Sequence, residues 1–265
     1  MILHLYTMCY NEMDILPFVV DYWKELGVSK AIVFDNGSTD GSVEFMQKYD
    51  WIDVRYYYSM GCNDVILRRF KNECWKESRG KADFVIVCDI DECLISPFGM
   101  DTFDKMKDGG YTICKPKWYE FISEEIPIYT EGKFLHEISE KAFLNESGKT
   151  VLFNPNEIKE INYGFGAHQC EPIGNVSYYN NGLYLLHISK RLSLEYMIKK
   201  YKEAKDRYSF VNRINSYGFH YSASREKLTS DYENGLKESI NFNKLISYLK
   251  NYDKNSIMLY WKTRE

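Results

Sequence analysis

The sequence has no long uncharged apolar run. A membrane-spanning helix needs about 18 such residues in succession, and none of the 265 positions begins a run of this kind. The first residues, MILHLY, also lack the basic region, apolar run and small-residue cleavage site of a signal peptide. We therefore expect neither a spanning helix nor a cleaved leader.

Neither sign of charge is in large excess. The chain has 34 basic and 38 acidic side chains, a net charge of −4, and a pI of about 5.8. This balance argues against a protein whose main task is to neutralise nucleic-acid phosphates. Aromatic residues make up 16% of the chain, which argues against disorder. We expect one large domain, or one domain with an appendage.

Paired cysteines are also missing. The 7 cysteines are an odd number, widely scattered and without a Cys-x-x-Cys pair. The odd number and the scattered positions argue against a disulfide framework and against a structural zinc site. Cys74 and Cys88 lie among apolar residues, so we interpret both as small core residues. A chain of this kind is expected in the reducing cytoplasm.

Short apolar runs alternate with helical periodicity over the first hundred residues. This is the pattern of βαβ units in a parallel sheet covered by helices. Strands are predicted at 2–8, 31–34, 52–57 and 84–88. The predicted fold class is therefore α/β.

Three helices are predicted between these strands. Apolar residues recur at helical spacing from Ile15 to Leu26, and Gly27 follows where a left-handed residue would end the helix. A second helix is predicted to begin near 40–42 and a third near 63–64. The apolar face of the third consists of Ile66, Phe70 and Cys74.

The rest of the chain has a different texture. From 111 to 187, short β-like pieces at 111–115, 150–153 and 183–188 are separated by Asn, Gly and Pro turns, which predicts a mixed or antiparallel sheet. From 187 to 265 the chain is helical and basic, with 16 Lys and Arg against 9 Asp and Glu. That excess suits either an anionic partner or an ordinary solvated surface.

The most informative motif is DIDE at 89–92, directly after the apolar run at 84–88. Ligands of an open parallel sheet bind beyond the carboxyl ends of its strands. In extended backbone, Asp89 and Asp91 would project to the same side, where hard divalent cations bind carboxylates together with phosphate oxygens. A bare polar turn is the alternative interpretation.

Two further strand ends carry acidic groups. Asn11 and Glu12 follow the first strand, and DNGSTDGS at 35–42 follows the second. The latter sequence also makes turns for local reasons alone. Strand ends of one parallel sheet nevertheless meet at one edge, so these groups should converge on one cleft.

In order, spacing and strand context, these three motifs resemble the glycosyltransferase family 2-like superfamily, which has the GT-A fold. The resemblance is closest to the subgroup with a DNxSxDGT-like loop and a DxDE motif, similar to family 92 glycosyltransferases. Further matches are a Lys…Pro…His pattern and a His…Ser-x-Glu…Lys segment, formed here by Lys149, Pro155, His168, His187, Ser193, Glu195 and Lys199.

The resemblance implies a GT-A catalytic domain at 1–187. Its nucleotide-sugar half would be 1–110 and its acceptor half 111–187, with a mixed central sheet. The basic helical segment 188–265 would pack on it. The implied reaction moves a sugar from a nucleotide sugar, for which the resemblance implies a UDP-sugar, to a glycan or lipid-linked acceptor with Mn²⁺ or Mg²⁺.

The resemblance also implies roles for single residues. Asp35 would read the base, Asp89 would lie near the ribose and the metal, and Asp91 would ligate the metal. Glu12 would support the donor loop, and His187 would add a metal or diphosphate contact. Contacts to the nucleotide sugar are expected from two further residues, Lys149 and His168.

An inverting transfer needs a carboxylate base within reach of the acceptor hydroxyl, and the usual family signature for that base is missing. Glu120, beside Trp118 and Tyr119, is one candidate, and Glu137 is the other. The two aromatic rings suit a sugar platform or the core equally well.

Two other classes stay open. The run at 85–91 also resembles the first motif of haloacid-dehalogenase-like phosphatases, but Cys93 departs from that pattern. A non-catalytic nucleotide- or sugar-binding protein is the other class.

The basic carboxyl-terminal helix suits a lipid-linked acceptor or peripheral contact with the inner membrane surface.

Overall fold

A computed structural model describes residues 1–134, 141–188 and 190–251. Its strands are β1 (Leu3–Cys9), β2 (Val28–Asp35), β3 (Ile52–Tyr56), β4 (Phe84–Val87), β5 (Glu92–Ile95), β6 (Ile113–Cys114), β7 (Lys117–Phe121), β8 (Lys141–Asn145), β9 (Leu152–Phe153), β10 (Ile158–Glu160), β11 (Ile173–Gly174), β12 (Tyr178–Tyr179), β13 (Tyr184–His187) and β14 (Ile240–Asn241). The α-helices are α1 (Leu16–Leu26), α2 (Ser42–Met46), α3 (Asp64–Glu73), α4 (Asp101–Asp108), α5 (Leu194–Asp206), α6 (Phe210–Ile214), α7 (Arg225–Glu238) and α8 (Phe242–Asn251). Short 3₁₀ helices lie at Cys74–Ser78, Phe165–Ala167 and Phe219–Ser222.

The larger sheet has the strand order β12-β6-β9-β4-β1-β2-β3. Strands β4, β1, β2 and β3 run parallel, and β9 is inserted antiparallel between β4 and β6. Strand β4 is buried at every position, because a parallel sheet is covered on both faces. The predicted α/β class with a mixed central sheet is confirmed, and all four predicted amino-terminal strands form.

A second sheet has the order β14-β8-β7-β13-β5. Strand β13 runs parallel to β7 and antiparallel to β5. In this register His187, the last residue of β13, pairs with Glu92 on one side and with Glu120 on the other. The chain enters this sheet from β4 through a short turn, so the two sheets meet where the DIDE motif lies.

The helices agree with the sequence in position more than in their buried faces. Gly27 ends α1 in the left-handed conformation with φ 88°, as predicted. The side chain of Asn63 caps α3 by accepting hydrogen bonds from two backbone amides. The apolar face predicted for α3 forms in part. Phe70 packs against the core with its ring 4.9 Å from that of Phe34, and Ile66 is half-buried, but the buried side chain of the helix is that of Lys71.

The carboxyl-terminal segment is more than a helical appendage. Strand β14 pairs with β8 at the edge of the second sheet. Phe242 of α8 is buried in the main core, where its ring lies 5.2 Å from that of Tyr119. The segment is largely helical, as expected, but it also supplies a strand and core contacts; the domain boundaries themselves stay a prediction.

Burial and pairing of the cysteines agree in part with the sequence. All seven are free thiols. Cys88 is buried as predicted, whereas Cys74 is only half-buried and opens a 3₁₀ helix. Across the described ranges, no helix combines the length and apolar character needed to cross a membrane.

Candidate active site

A cavity of about 820 Å³ lies beyond the carboxyl ends of the parallel strands. Its walls include Glu12 after β1, Asn36 after β2, and Asp89 and Asp91 after β4. These strand ends therefore converge on one cleft, as the sequence predicted. Many of the remaining lining residues lie between 201 and 221, in the carboxyl-terminal segment.

The DIDE motif forms a tight turn and not an extended strand end. The backbone N–H of Glu92 donates to the carbonyl of Asp89 at 3.0 Å, and Ile90 and Asp91 are the central residues of the turn. The prediction that the two aspartates project to the same side is wrong, because the chain reverses between them to enter β5. Their carboxylates meet different partners.

Asp89 is held by two lysines. Its Oδ1 accepts from Nζ of Lys71 at 2.6 Å, and its Oδ2 accepts from Nζ of Lys149 at 2.8 Å. Lys149 also donates to Glu92, whose side chain is fully buried. Burial opposes ionisation of Asp89, but the charges of Lys149 and Lys71 hold its pKa well below the usual range. Both of its oxygens accept from ammonium groups, so a metal would have to compete with Lys71 and Lys149 for Asp89.

Asp91 faces His187. Its Oδ2 lies 3.0 Å from Nε2 of His187, and the backbone N–H of Ile188 donates to the Asp91 carbonyl at 2.8 Å. The second contact fastens the turn to the end of β13. The turn thus carries Asp91, and not Asp89, to the histidine.

Glu120 completes this chain of side chains. Its Oε2 lies 2.9 Å from Nδ1 of His187, and its Oε1 accepts from the amide of Asn145 at 3.1 Å. Burial disfavours charge on His187, but Glu120 and Asp91 raise its pKa to about 10. Burial likewise opposes the charge of Glu120, and the proximity of His187 lowers its pKa.

Asp35 does not line the cavity. It is fully buried, and its carboxylate accepts hydrogen bonds from the backbone of Gly37 and from the backbone and hydroxyl of Ser38. These contacts shape the turn after β2, which satisfies the carboxylate internally. The role of base reader predicted for Asp35 is therefore not supported, and its neighbour Asn36 is the residue that faces the cavity.

Glu12 is paired with Lys200 across the cavity. The Lys200 ammonium donates to Glu12 Oε2 at 3.0 Å and to the carbonyl of Asn11 at 3.1 Å, so α5 is tied to the end of β1. Burial raises the pKa of Glu12 to about 7. The backbone N–H of Glu12 donates to the hydroxyl of Ser42. Glu12 thus fastens α5 to the loop after β1, and its support of a donor loop stays a prediction.

Trp118 and His168 form an aromatic wall. Their rings are stacked, with centroids 5.3 Å apart and an interplanar angle of 21°. Burial, with the charge of Lys149 beside it, lowers the pKa of His168 to about 4. His168 is therefore a neutral imidazole at neutral pH. Tyr119 points into the core instead, where it is 2% exposed.

Of three cations of the cavity wall, Lys190 and Arg207 belong to the predicted basic segment, and the sequence interpretation missed Lys71. Lys71 lies on the face of α3 that also presents Asp64 and Arg68, at helical spacing, and this spacing is the signal that could have found it. Lys190 donates to the hydroxyl of Tyr221 at 2.5 Å. The guanidinium of Arg207 stacks over the ring of Tyr10.

Other predicted residues have local structural contacts or lie elsewhere. Ser193 caps α5 by accepting from the backbone N–H of Tyr196. Glu195 pairs with Arg225 on the surface, and Lys199 is exposed. Glu137 lies outside the described residues.

Comparison with known proteins finds a family model that matches part of the chain. Residues 5–131 match the model of glycosyltransferase family 92. This range includes Glu12, the loop at 35–42 and the DIDE turn. The resemblance indicated by the three motifs is confirmed over this range, which is just under half of the chain. A search of curated proteins finds no match.

Among solved structures, TarS of S. aureus aligns over 88% of this chain at 13% identity with a TM-score of 0.43, and this chain covers 43% of that structure. TarS 1-349 in complex with UDP-GlcNAc aligns over 88% of this chain and 72% of its own at 11% identity and TM-score 0.40. Glucosyl-3-phosphoglycerate synthase from Mycobacterium tuberculosis, in complex with Mn²⁺, UDP and glucosyl-3-phosphoglycerate, aligns over 44% of each chain at 19% identity and TM-score 0.30. All three identities are below 20% and all three TM-scores are below 0.5. The similarity to a glycosyltransferase family therefore rests on the match at 5–131 and on the motifs.

Proposed function

We propose that the protein is a metal-dependent, inverting glycosyltransferase that moves a sugar from a UDP-sugar to a glycan or lipid-linked acceptor. The observation that carries this proposal is the 3.0 Å contact between Asp91 of the DIDE turn and His187 inside the cavity. A carboxylate oxygen and an imidazole nitrogen together suit Mn²⁺. The turn lies within the region that matches the glycosyltransferase family.

The donor set fits a cation that is shared with the substrate. No group of three or more His, Cys, Asp or Glu side chains gathers at a metal-binding distance in the part of the chain that is described. Ions such as Mg²⁺ are often held by one or two carboxylates and by substrate phosphates. Asp91 and His187 would hold the cation, and Asp89 is withdrawn from the predicted ligand set. When bound, the cation neutralises charge on the leaving diphosphate.

Cationic side chains of the cavity support binding of a diphosphate. Lys190 lines the cavity, and although burial opposes its charge, Tyr221 and Asp91 raise its pKa, so that it stays protonated. Lys200 and Arg207 line the same cavity. Cations placed where negative charge develops on a leaving group stabilise the transition state.

The aromatic wall supports binding of a sugar. Trp118 and His168 present stacked rings beside Lys149, and the apolar face of a sugar packs on such rings. Lys149 itself acts through Asp89 and Glu92, which it holds in place. His168 stays a proposed contact of the substrate, and we assign Lys149 to support of the turn.

Thermal unfolding tests the donor and the metal together. The midpoint is measured with UDP, GDP, CDP and ADP, each with Mn²⁺ and with EDTA, because a ligand that binds only the folded state raises the midpoint by mass action. We expect a shift with UDP and Mn²⁺ that EDTA removes. A shift with another nucleotide would reassign the donor. No shift with any nucleotide would favour a non-catalytic protein or the phosphatase class.

A further inference from the structure

Glu120, His187 and Asp91 form one continuous series of contacts across two strands and a turn. Glu120 is on β7 and His187 is on the neighbouring β13, in register with it. Both contacts of the imidazole are short, 2.9 Å from Nδ1 to Glu120 and 3.0 Å from Nε2 to Asp91. The two nitrogens therefore face two different carboxylates on opposite sides of the ring.

Both carboxylates line the cavity, and both residues are 9% exposed. Glu120 has both oxygens engaged by neighbouring strands, because Oε2 contacts His187 of β13 and Oε1 accepts from Asn145 of β8. Asp91 lies in the turn after β4. With both oxygens engaged in this way, Glu120 is poorly placed to remove a proton from an acceptor hydroxyl, which a base must contact directly.

The arrangement matches the way in which proteins orient a metal-bound histidine. A ligating histidine donates its other ring N–H to a carboxylate, which fixes the tautomer and the ring plane and makes the ligating nitrogen more basic. In the metal-bound state Nδ1–H would donate to Glu120, and Nε2, having released its own proton, would present its lone pair to the cation beside Asp91. The hydrogen on Nδ1 is assigned from these contacts.

We propose that Glu120 is not the base but a positioning residue, which holds His187 so that Nε2 binds a divalent cation together with Asp91. This inference rests on the metal dependence in the proposed function. Glu120, which the sequence offered as a candidate base, is thereby assigned to orienting the histidine. The base is then another group of the enzyme or of the bound substrates.

Mn²⁺ binding separates the two roles without an activity assay. Free Mn²⁺ is measured by electron paramagnetic resonance during titration of the protein in the presence of UDP. For Glu120→Ala we expect the dissociation constant for Mn²⁺ to rise about 10- to 100-fold, the usual effect of losing such a partner. Glu120→Asp should restore part of the affinity. Glu203→Gln is the matched control. Glu203 lines the cavity but makes no contact in the series Glu120–His187–Asp91, so this variant should bind Mn²⁺ like the wild type.

A second readout reports on the imidazole itself. With ¹⁵N-labelled histidine, the wild type with Mg²⁺ and UDP should show His187 protonated at Nδ1 only, and Glu120→Gln should weaken that preference. If Glu120→Ala does not fold, Glu120→Gln is titrated with Mn²⁺ in its place. Unchanged Mn²⁺ affinity in the variants would overturn the inference, whereas a wild type that binds no Mn²⁺ would overturn the proposed function instead.

Discussion

Asp89 and Asp91 are separated by one residue, yet their surroundings differ in kind. Asp89 lies between the ammonium groups of Lys71 and Lys149, at 2.6 and 2.8 Å. Asp91 lies 3.0 Å from the imidazole of His187 at the cavity wall. The first carboxylate is held by two lysines of the protein, and the second lies beside the histidine with which we propose that it binds a cation. On this proposal, an Asp-x-Asp motif joins a structural group and a binding group.

The tight turn is the physical origin of this difference. The hydrogen bond from Glu92 to Asp89 closes the turn, and Glu92 then begins β5 with its side chain buried against Lys149. Lys149 thus forms ion pairs with both Asp89 and Glu92, the first and last residues of the motif. Stability should therefore depend on the Asp89 side and ligand binding on the Asp91 side.

The largest expected effect is on stability. Lys149→Met removes the cation from a fully buried Glu92 and from Asp89, which leaves carboxylates without their partner. Breaking a buried ion pair on one side costs about 3–5 kcal/mol. We expect a loss of this size in the free energy of unfolding, measured by urea titration. Lys237→Met, at an exposed position of α7, is the control and should unfold like the wild type.

A loss below about 1 kcal/mol in Lys149→Met, the range of exposed ion pairs, would contradict the structural role of the Asp89 side.

The next effect is on turnover. Asp91→Asn keeps the shape of the side chain but removes the charge that would hold the cation beside His187. We expect release of UDP from UDP-sugars to fall at least about 10²-fold, because a bound metal contributes several kcal/mol to charge stabilisation. The measurement is UDP formed with time in saturating Mn²⁺. Asp64→Asn, a carboxylate on another wall of the cavity, is the matched control.

Circular dichroism of Asp91→Asn should match the wild type. Turnover that remains at the wild-type level would remove Asp91 from the site and, with it, the assignment of this side of the turn.

Local patterns predicted the fold well where they are set by neighbouring residues. The buried runs of β1 and β4 and the glycine that ends α1 follow from periodicity and backbone conformation alone. The burial of Lys71 on α3 was missed because it depends on a distant partner, Asp89, with which the lysine forms an ion pair. The strand β14 was missed for the same reason, since two residues become a strand only beside β8.

The site was predicted in its location but only in part in its chemistry. That Asp91 and His187 belong together follows from the family pattern, whereas their contact depends on the register of β13 with β5 and β7. The isolation of Asp35 depends on hydrogen bonds that its own turn makes. Whether a carboxylate is free or satisfied is decided by tertiary contacts, and sequence spacing does not contain them.

The smallest expected effect concerns the aromatic wall, which belongs to neither aspartate. The pKa of His168 is about 4 in the folded protein, against 6.5 in an unfolded chain, because burial and Lys149 disfavour its charge. Between these values the unfolded state binds more protons, so the free energy of unfolding should rise with pH from about 4 to 6.5 and then level off. His168→Gln should flatten this part of the curve, measured by urea unfolding at a series of pH values. Because His168 is only partly buried, solvent screening keeps the difference small, and the Hε1 proton resonance of His168 gives the direct check. A midpoint near 6.5 for that resonance would mean that neither burial nor Lys149 acts on the ring.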